Sequence, residues 1–176
     1  MENPPSDRLL KVTRLMLTLL MVLIVLAGAA LLLTMPILAF RYTDVSRDLA
    51  AAGVNEASIP WLVGMVLGGV LICGLSFFFL RHLRRIVDSV SAGDPFVPIN
   101  AERLRHMAWL AVAVQAVLLV VTPLAMWFDA LPHRQNVHYN SDGISFGALV
   151  LALLLFVLAR VFRRGAEMRD ELEGTV

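Results

Sequence analysis

LMLTLLMVLIVLAGAALLLTMPILAF, residues 15–40, runs for 26 residues without a charged side chain. A helix needs about 20 apolar residues to cross the hydrocarbon core of a bilayer. Three further apolar runs follow at residues 60–80, 107–127 and 143–161, separated by short polar connectors. Backbone groups find no water inside lipid, so each span has to be helical. The expected fold is all-α, an integral membrane four-helix bundle with helical extensions into the cytosol.

Composition agrees with lipid as the solvent. Hydrophobic residues make up 59% of the chain and charged residues 16%, against about 25% charged in an ordinary soluble domain. Outside the four runs only two tails and three connectors remain, too little for a separate soluble core. Residues 1–176 therefore read as one membrane domain. The single cysteine, Cys73, lies inside the second run, so no intramolecular disulfide can form.

Positive charge sets the threading. Arg8, Lys11 and Arg14 precede the first run, and Arg81, Arg84, Arg85, Arg103 and Arg105 lie in the connector 81–106. Arg160, Arg163, Arg164 and Arg169 mark the end of the fourth run and the tail 162–176. The other two connectors hold only Arg41, Arg47 and Arg134. Twelve basic residues against three put both termini and the central connector in the cytosol. Residues 15–26 followed by Ala27-Gly28-Ala29 resemble a cleavable leader, but the run continues to Phe40, which favours an uncleaved anchor.

Within the spans, Thr34 precedes Pro36 and Thr122 precedes Pro123, so a mild kink or helix end is expected at each, with the threonine hydroxyl helping a freed carbonyl. Gly64 with Gly68, and Gly143 with Gly147, have the spacing that lets helix backbones approach closely, within one chain or between copies of a homo-oligomer. Gln115 is the one strongly polar side chain deep in a span, placed to hydrogen-bond across helices, with Cys73, Ser76 or Thr122 as candidate partners. No ionisable residue lies near a span centre, which argues against a proton relay or ion-coupled transporter.

Among the connectors, residues 41–59 contain the helix formers Leu49-Ala50-Ala51-Ala52 ahead of Gly53, so a short surface helix is expected. His133 and His138 are five residues apart with no cysteine beside them, and no metal site is expected there. Leu83, Ile86, Val87 and Val90 recur at helical spacing, so the second span continues as a helix until Gly93 and Asp94-Pro95 stop it. Phe96 follows on an extended piece. Asn100 reads as the N-cap of the next helix, with Glu102 in its first turn and Arg103 and Arg105 beyond. In the tail, Arg163 with Glu167 and Arg169 with Glu173 are i,i+4 pairs.

The motifs of catalysis are missing. There is no P-loop, dinucleotide glycine fingerprint, HExxH, paired-cysteine motif or GxSxG elbow. No catalytic, cofactor-binding or metal-ligating residue is expected, and the chain does not read as an enzyme. No recognition helix or nucleic-acid fold is present, so direct nucleic-acid binding is not expected either.

Gly93-Asp94-Pro95-Phe96 followed by Asn100-Ala101-Glu102-Arg103-Leu104-Arg105 resembles a bacterial membrane family, the domain of unknown function numbered 2975. The ending Arg164-Gly165, Glu167, Arg169, Glu171 and Thr175-Val176 is similar to that family as well. The resemblance implies a protein of the bacterial inner (plasma) membrane without established activity, and members are often encoded beside small helix-turn-helix regulators. It implies a non-enzymatic regulatory or sensory protein that docks a cytosolic transcription regulator. Gly93, Asp94, Pro95, Phe96, Asn100, Arg103, Leu104, Arg105, Arg164, Gly165, Glu167 and Glu171 are the residues expected at that partner surface. The alternative is a channel, transporter or exporter subunit in which Gln115 lines a path.

Overall fold

The computed structural model describes residues 5–51, 59–92, 96–129 and 145–173. They form five helices, α1 (Pro5–Phe40), α2 (Tyr42–Ala51), α3 (Ile59–Ser91), α4 (Pro98–Asp129) and α5 (Phe146–Glu173). All but α2 are long and apolar enough to cross a membrane. α3 has 33 residues, which at 1.5 Å per residue is about 50 Å, against a hydrocarbon core of about 30 Å. Its last turns therefore stand outside the apolar layer, as the helical spacing of Leu83, Ile86 and Val90 predicts. α2 is the short helix expected from the alanine run, and it follows α1 after a single residue, Arg41.

The long helices pack in chain order, α1 on α3, α3 on α4 and α4 on α5, up and down. Side-chain pairs fix the register. Gly28 meets Cys73 between α1 and α3, Gly68 meets Val121 between α3 and α4, and Trp109 meets Phe156 between α4 and α5. A compact core of Leu104, Met107, Ala108, Leu155 and Ala159 lies between α4 and α5, flanked by Phe79, Leu83 and Ile86 of α3. Elsewhere large apolar side chains face outward, among them Leu15, Leu19, Leu23, Leu26 and Leu33 of α1. A water-soluble protein rarely exposes so continuous an apolar patch. Lipid covers these faces.

Equal glycine spacing does not mean equal use. A Cβ on Gly68 would collide with the Val121 methyl, whereas a Cβ on Gly64 would meet nothing within 4 Å. Gly64 instead lines an open groove with Trp61, Val117 and Val120. Both glycines border the α3–α4 groove, but only at Gly68 does α4 come into close contact. Gly147 is also open, with only its neighbour Ser145 close by, and Gly143 lies outside the described residues. Gly68→Val should cost about 1–3 kcal/mol through forced separation of α3 and α4, while Gly64→Val should be nearly neutral. Thermal unfolding of both variants in detergent checks this ranking.

Both prolines lie inside helices, Pro36 in α1 and Pro123 in α4. The Thr34 hydroxyl donates to the Leu31 carbonyl at 2.6 Å, not to the Leu32 carbonyl that Pro36 leaves without its helical donor. α5 starts later than the apolar run that predicts it. The Ser145 N–H donates to Gln115 Oε1 at 3.1 Å, so the head of α5 sits beside the middle of the α4 apolar run. The first amides of a helix lack intrahelical partners, and within lipid they need one. Gln115 supplies one acceptor. Ser145 supplies the next, its carbonyl accepting the Ala148 N–H at 3.0 Å with its hydroxyl at 3.4 Å. Gln115 does reach out of its own helix, but to the backbone amide of Ser145 just before α5 and not to Cys73, Ser76 or Thr122.

Candidate interaction site

At the arginine-rich end, polar side chains tie α1 to α3 and α3 to α4. From α1, the Arg14 guanidinium meets Asp88 of α3 at 2.7 Å and donates to the Ser91 hydroxyl. Ser91 in turn donates to the Asp88 carbonyl at 2.7 Å, holding the last turn of α3. Both charged side chains are about half exposed, so this pair adds only about 0–1 kcal/mol.

Asn100 is wholly buried. α4 begins at Pro98, which is preset for the first helical turn, so Asn100 lies inside that turn and is not the N-cap. Its amide crosses to α3, where Nδ2 donates to the Ser89 hydroxyl at 2.6 Å. Its Oδ1 accepts from Arg103 Nη1 at 3.0 Å, and the same Nη1 donates to the Arg85 carbonyl at 3.1 Å. Arg103 therefore faces inward as a clamp between α3 and α4. Ser89, which no sequence pattern singles out, completes the link by donating to the Ile86 carbonyl at 2.8 Å.

His82 and His106 stack between the same two helices with ring centroids 5.6 Å apart. His82 and Arg103 both lie beyond the apolar runs. Burial, followed by the neighbouring His106, Arg85, Arg103 and Arg81, holds the His82 imidazole below its usual pKa. Burial and Arg85 lower Arg103 while Asp88 opposes them; a guanidinium stays charged through such a shift.

The connector after α3 and the end of α5 form one surface. The Phe96 ring lies 5.4 Å from Phe162 and so close to Gly165 that a Cβ there would come within 3.0 Å of Phe96 Cδ1. Gly165 is the seat for that ring, and Phe96 keeps 44% of its surface exposed. Leu104, expected at a partner surface, is instead in the α4–α5 core at 4% exposure. Its apolar side chain is drawn to that core while Arg105, beside it, turns outward. Glu167 pairs with Arg164 at 3.6 Å, one residue removed from the i,i+4 partner expected, Arg163. Arg105 meets Glu102 at 3.4 Å. Glu171 is exposed near the end of α5. Gly93, Asp94, Pro95, His133, His138 and the side chain of Glu173 lie outside the described residues.

Four long apolar helices with lipid-facing surfaces define a multi-pass membrane protein. Residues 45–176 match the family described as Protein of unknown function (DUF2975), and the chain belongs to that family. No curated protein and no solved structure matches it.

Proposed function

We propose that this is a non-enzymatic regulatory protein of the bacterial inner membrane, whose arginine-rich end faces the cytosol and docks a soluble partner, a small helix-turn-helix regulator. The observation that carries this reading is the seat of Phe96 on Gly165 and Phe162. It joins two segments distant in sequence into one surface with a half-exposed aromatic ring, flanking arginines and the acidic end of α5. A rigid aromatic anchor with a charged rim is what a specific protein contact uses. The bias of basic residues supports the cytosolic placement.

Phe96→Ala should lower co-purification of the partner severalfold from crosslinked native membranes while the protein stays in the membrane fraction. Gly165→Val should do the same by expelling the ring from its seat. Unchanged recovery of every cytosolic partner from both variants would contradict the docking surface.

The transporter reading has one feature in its favour, a cavity of about 330 Å³ bordered by all four long helices and by Gln115. Its walls are otherwise apolar, apart from Ser76. Gln115 already has a structural use at the head of α5. Loss of flux from reconstituted vesicles on Gln115→Leu, with the fold intact, would favour transport over docking.

A further inference from the structure

Between α4 and α5 at the arginine-rich end lies a groove of about 790 Å³. Arg105, Arg160, Arg163 and Arg164 line it, over a floor that includes Phe156 and Ala159. It occupies a different flank of α5 from Phe162 and Gly165, with the buried stripe of Leu155, Ala159 and Ala166 between. Arg105, Arg164 and Glu167 are shared with the expected partner surface, whereas Arg160, Arg163 and Phe156 are not, so the two readings are tested at different residues.

The charges in the groove are out of balance. Glu102 meets Arg105 and Glu167 meets Arg164, both loosely, at 3.4 and 3.6 Å. Among the described residues no carboxylate pairs with Arg160 or Arg163. Two guanidinium forks are left for an anion, and their planar donor pairs match phosphate oxygens in geometry and charge. Phe156 is the aromatic residue of the groove, and Trp109 stands next to it outside the lining. Phe156 meets Trp109 edge to face at 5.5 Å, and Trp109 is 61% exposed, as a tryptophan at the headgroup level of a bilayer is. Arginines above Phe156 and its neighbour Trp109, on the side of the apolar run, form a site for an amphiphile, charged at one end.

We propose that this groove binds a phosphate-bearing anion, as the headgroup of an anionic phospholipid whose acyl chain lies over Phe156 and Trp109 or as a free phosphate ester. Basic pockets between membrane helices bind such headgroups.

The test uses the full chain in neutral detergent, with bound lipid counted by native mass spectrometry. Phosphatidylglycerol and phosphatidylcholine with the same acyl chains are offered separately, and glycerol phosphate is offered as a soluble competitor. Phosphatidylglycerol should be retained preferentially, and Arg160→Gln with Arg163→Gln should weaken its retention by about thirtyfold. Arg81→Gln with Arg84→Gln removes the same charge from the same end but outside the groove, and should leave retention within about twofold. Circular dichroism identifies any variant that fails to fold. In that case the charge-preserving pair Arg160→Lys and Arg163→Lys, which lacks the fork, takes its place and should also lose retention. Displacement of the lipid by millimolar glycerol phosphate assigns the free ester as the source, and resistance to it assigns the lipid. Equal retention of the two lipids, or equal loss in the groove and control variants, would overturn the proposal, leaving only a diffuse belt of charge.

Discussion

Gln115→Leu is expected to destabilise the protein by about 1–3 kcal/mol, although it replaces a polar side chain by an apolar one inside a membrane span. Most such replacements in lipid would be neutral or favourable, because the polar group has to be desolvated. Here the side chain is 9% exposed and its oxygen accepts the Ser145 amide at the head of α5. Leucine would leave that N–H without an acceptor in apolar surroundings, where no water replaces it. The loss should appear as a lower midpoint in thermal unfolding in detergent. Leu119→Ala, at a lipid-facing position 54% exposed, should shift the midpoint much less. Equal midpoints for wild type and Gln115→Leu would mean that the amide finds its partner elsewhere.

Asn100→Ala should cost more, about 2–4 kcal/mol, because it removes the hydrogen bonds to Ser89 and to the charged Arg103 and leaves a hole. Ser89 would lose its donor from α4, and Arg103 one of its two acceptors. Asn100→Asp separates these contributions. It keeps an acceptor for Arg103 and requires only that the Ser89 hydroxyl rotate to donate, giving up its bond to Ile86. At neutral pH the aspartate variant should therefore be more stable than the alanine variant. The opposite order would show that packing at Asn100, and not its hydrogen bonding, holds α3 to α4.

These two residues mark where sequence and structure part. The four spans are legible because lipid imposes a minimum apolar length and tolerates no open backbone. The extension of α3 beyond Leu80 is legible because Leu83, Ile86 and Val90 keep the helical period. Gln115 and Asn100 stand out as polar residues in unusual places, yet their partners do not. Ser145 is 30 positions from Gln115 and Ser89 is 11 from Asn100, so neither pairing is a local pattern.

An asparagine just before a helix looks the same in sequence whether it caps its own helix or bridges to another. What decides is Pro98, which starts the helix two residues early. Gly64 and Gly68 lie on one face of α3, and only how closely α4 approaches at each level separates the one that packs from the one that does not. Leu104 falls in a run of arginines and reads as surface until α5 is laid against it. The union of Phe96 with Gly165 is anticipated only as a shared side of the membrane. The contact itself depends on helix order, which hydropathy does not encode.

The most direct test is cysteine labelling with a membrane-impermeant maleimide in intact cells, in a Cys73→Ser background. With the arginine-rich end facing inward, Ala92→Cys, after the last turn of α3, should label only once the cells are permeabilised. Arg47→Cys in α2, at the other end of the bundle, should label from outside. Labelling of Ala92→Cys in intact cells, with Arg47→Cys protected, would mean that the chain is threaded the other way and that no cytosolic partner can reach the Phe96 surface.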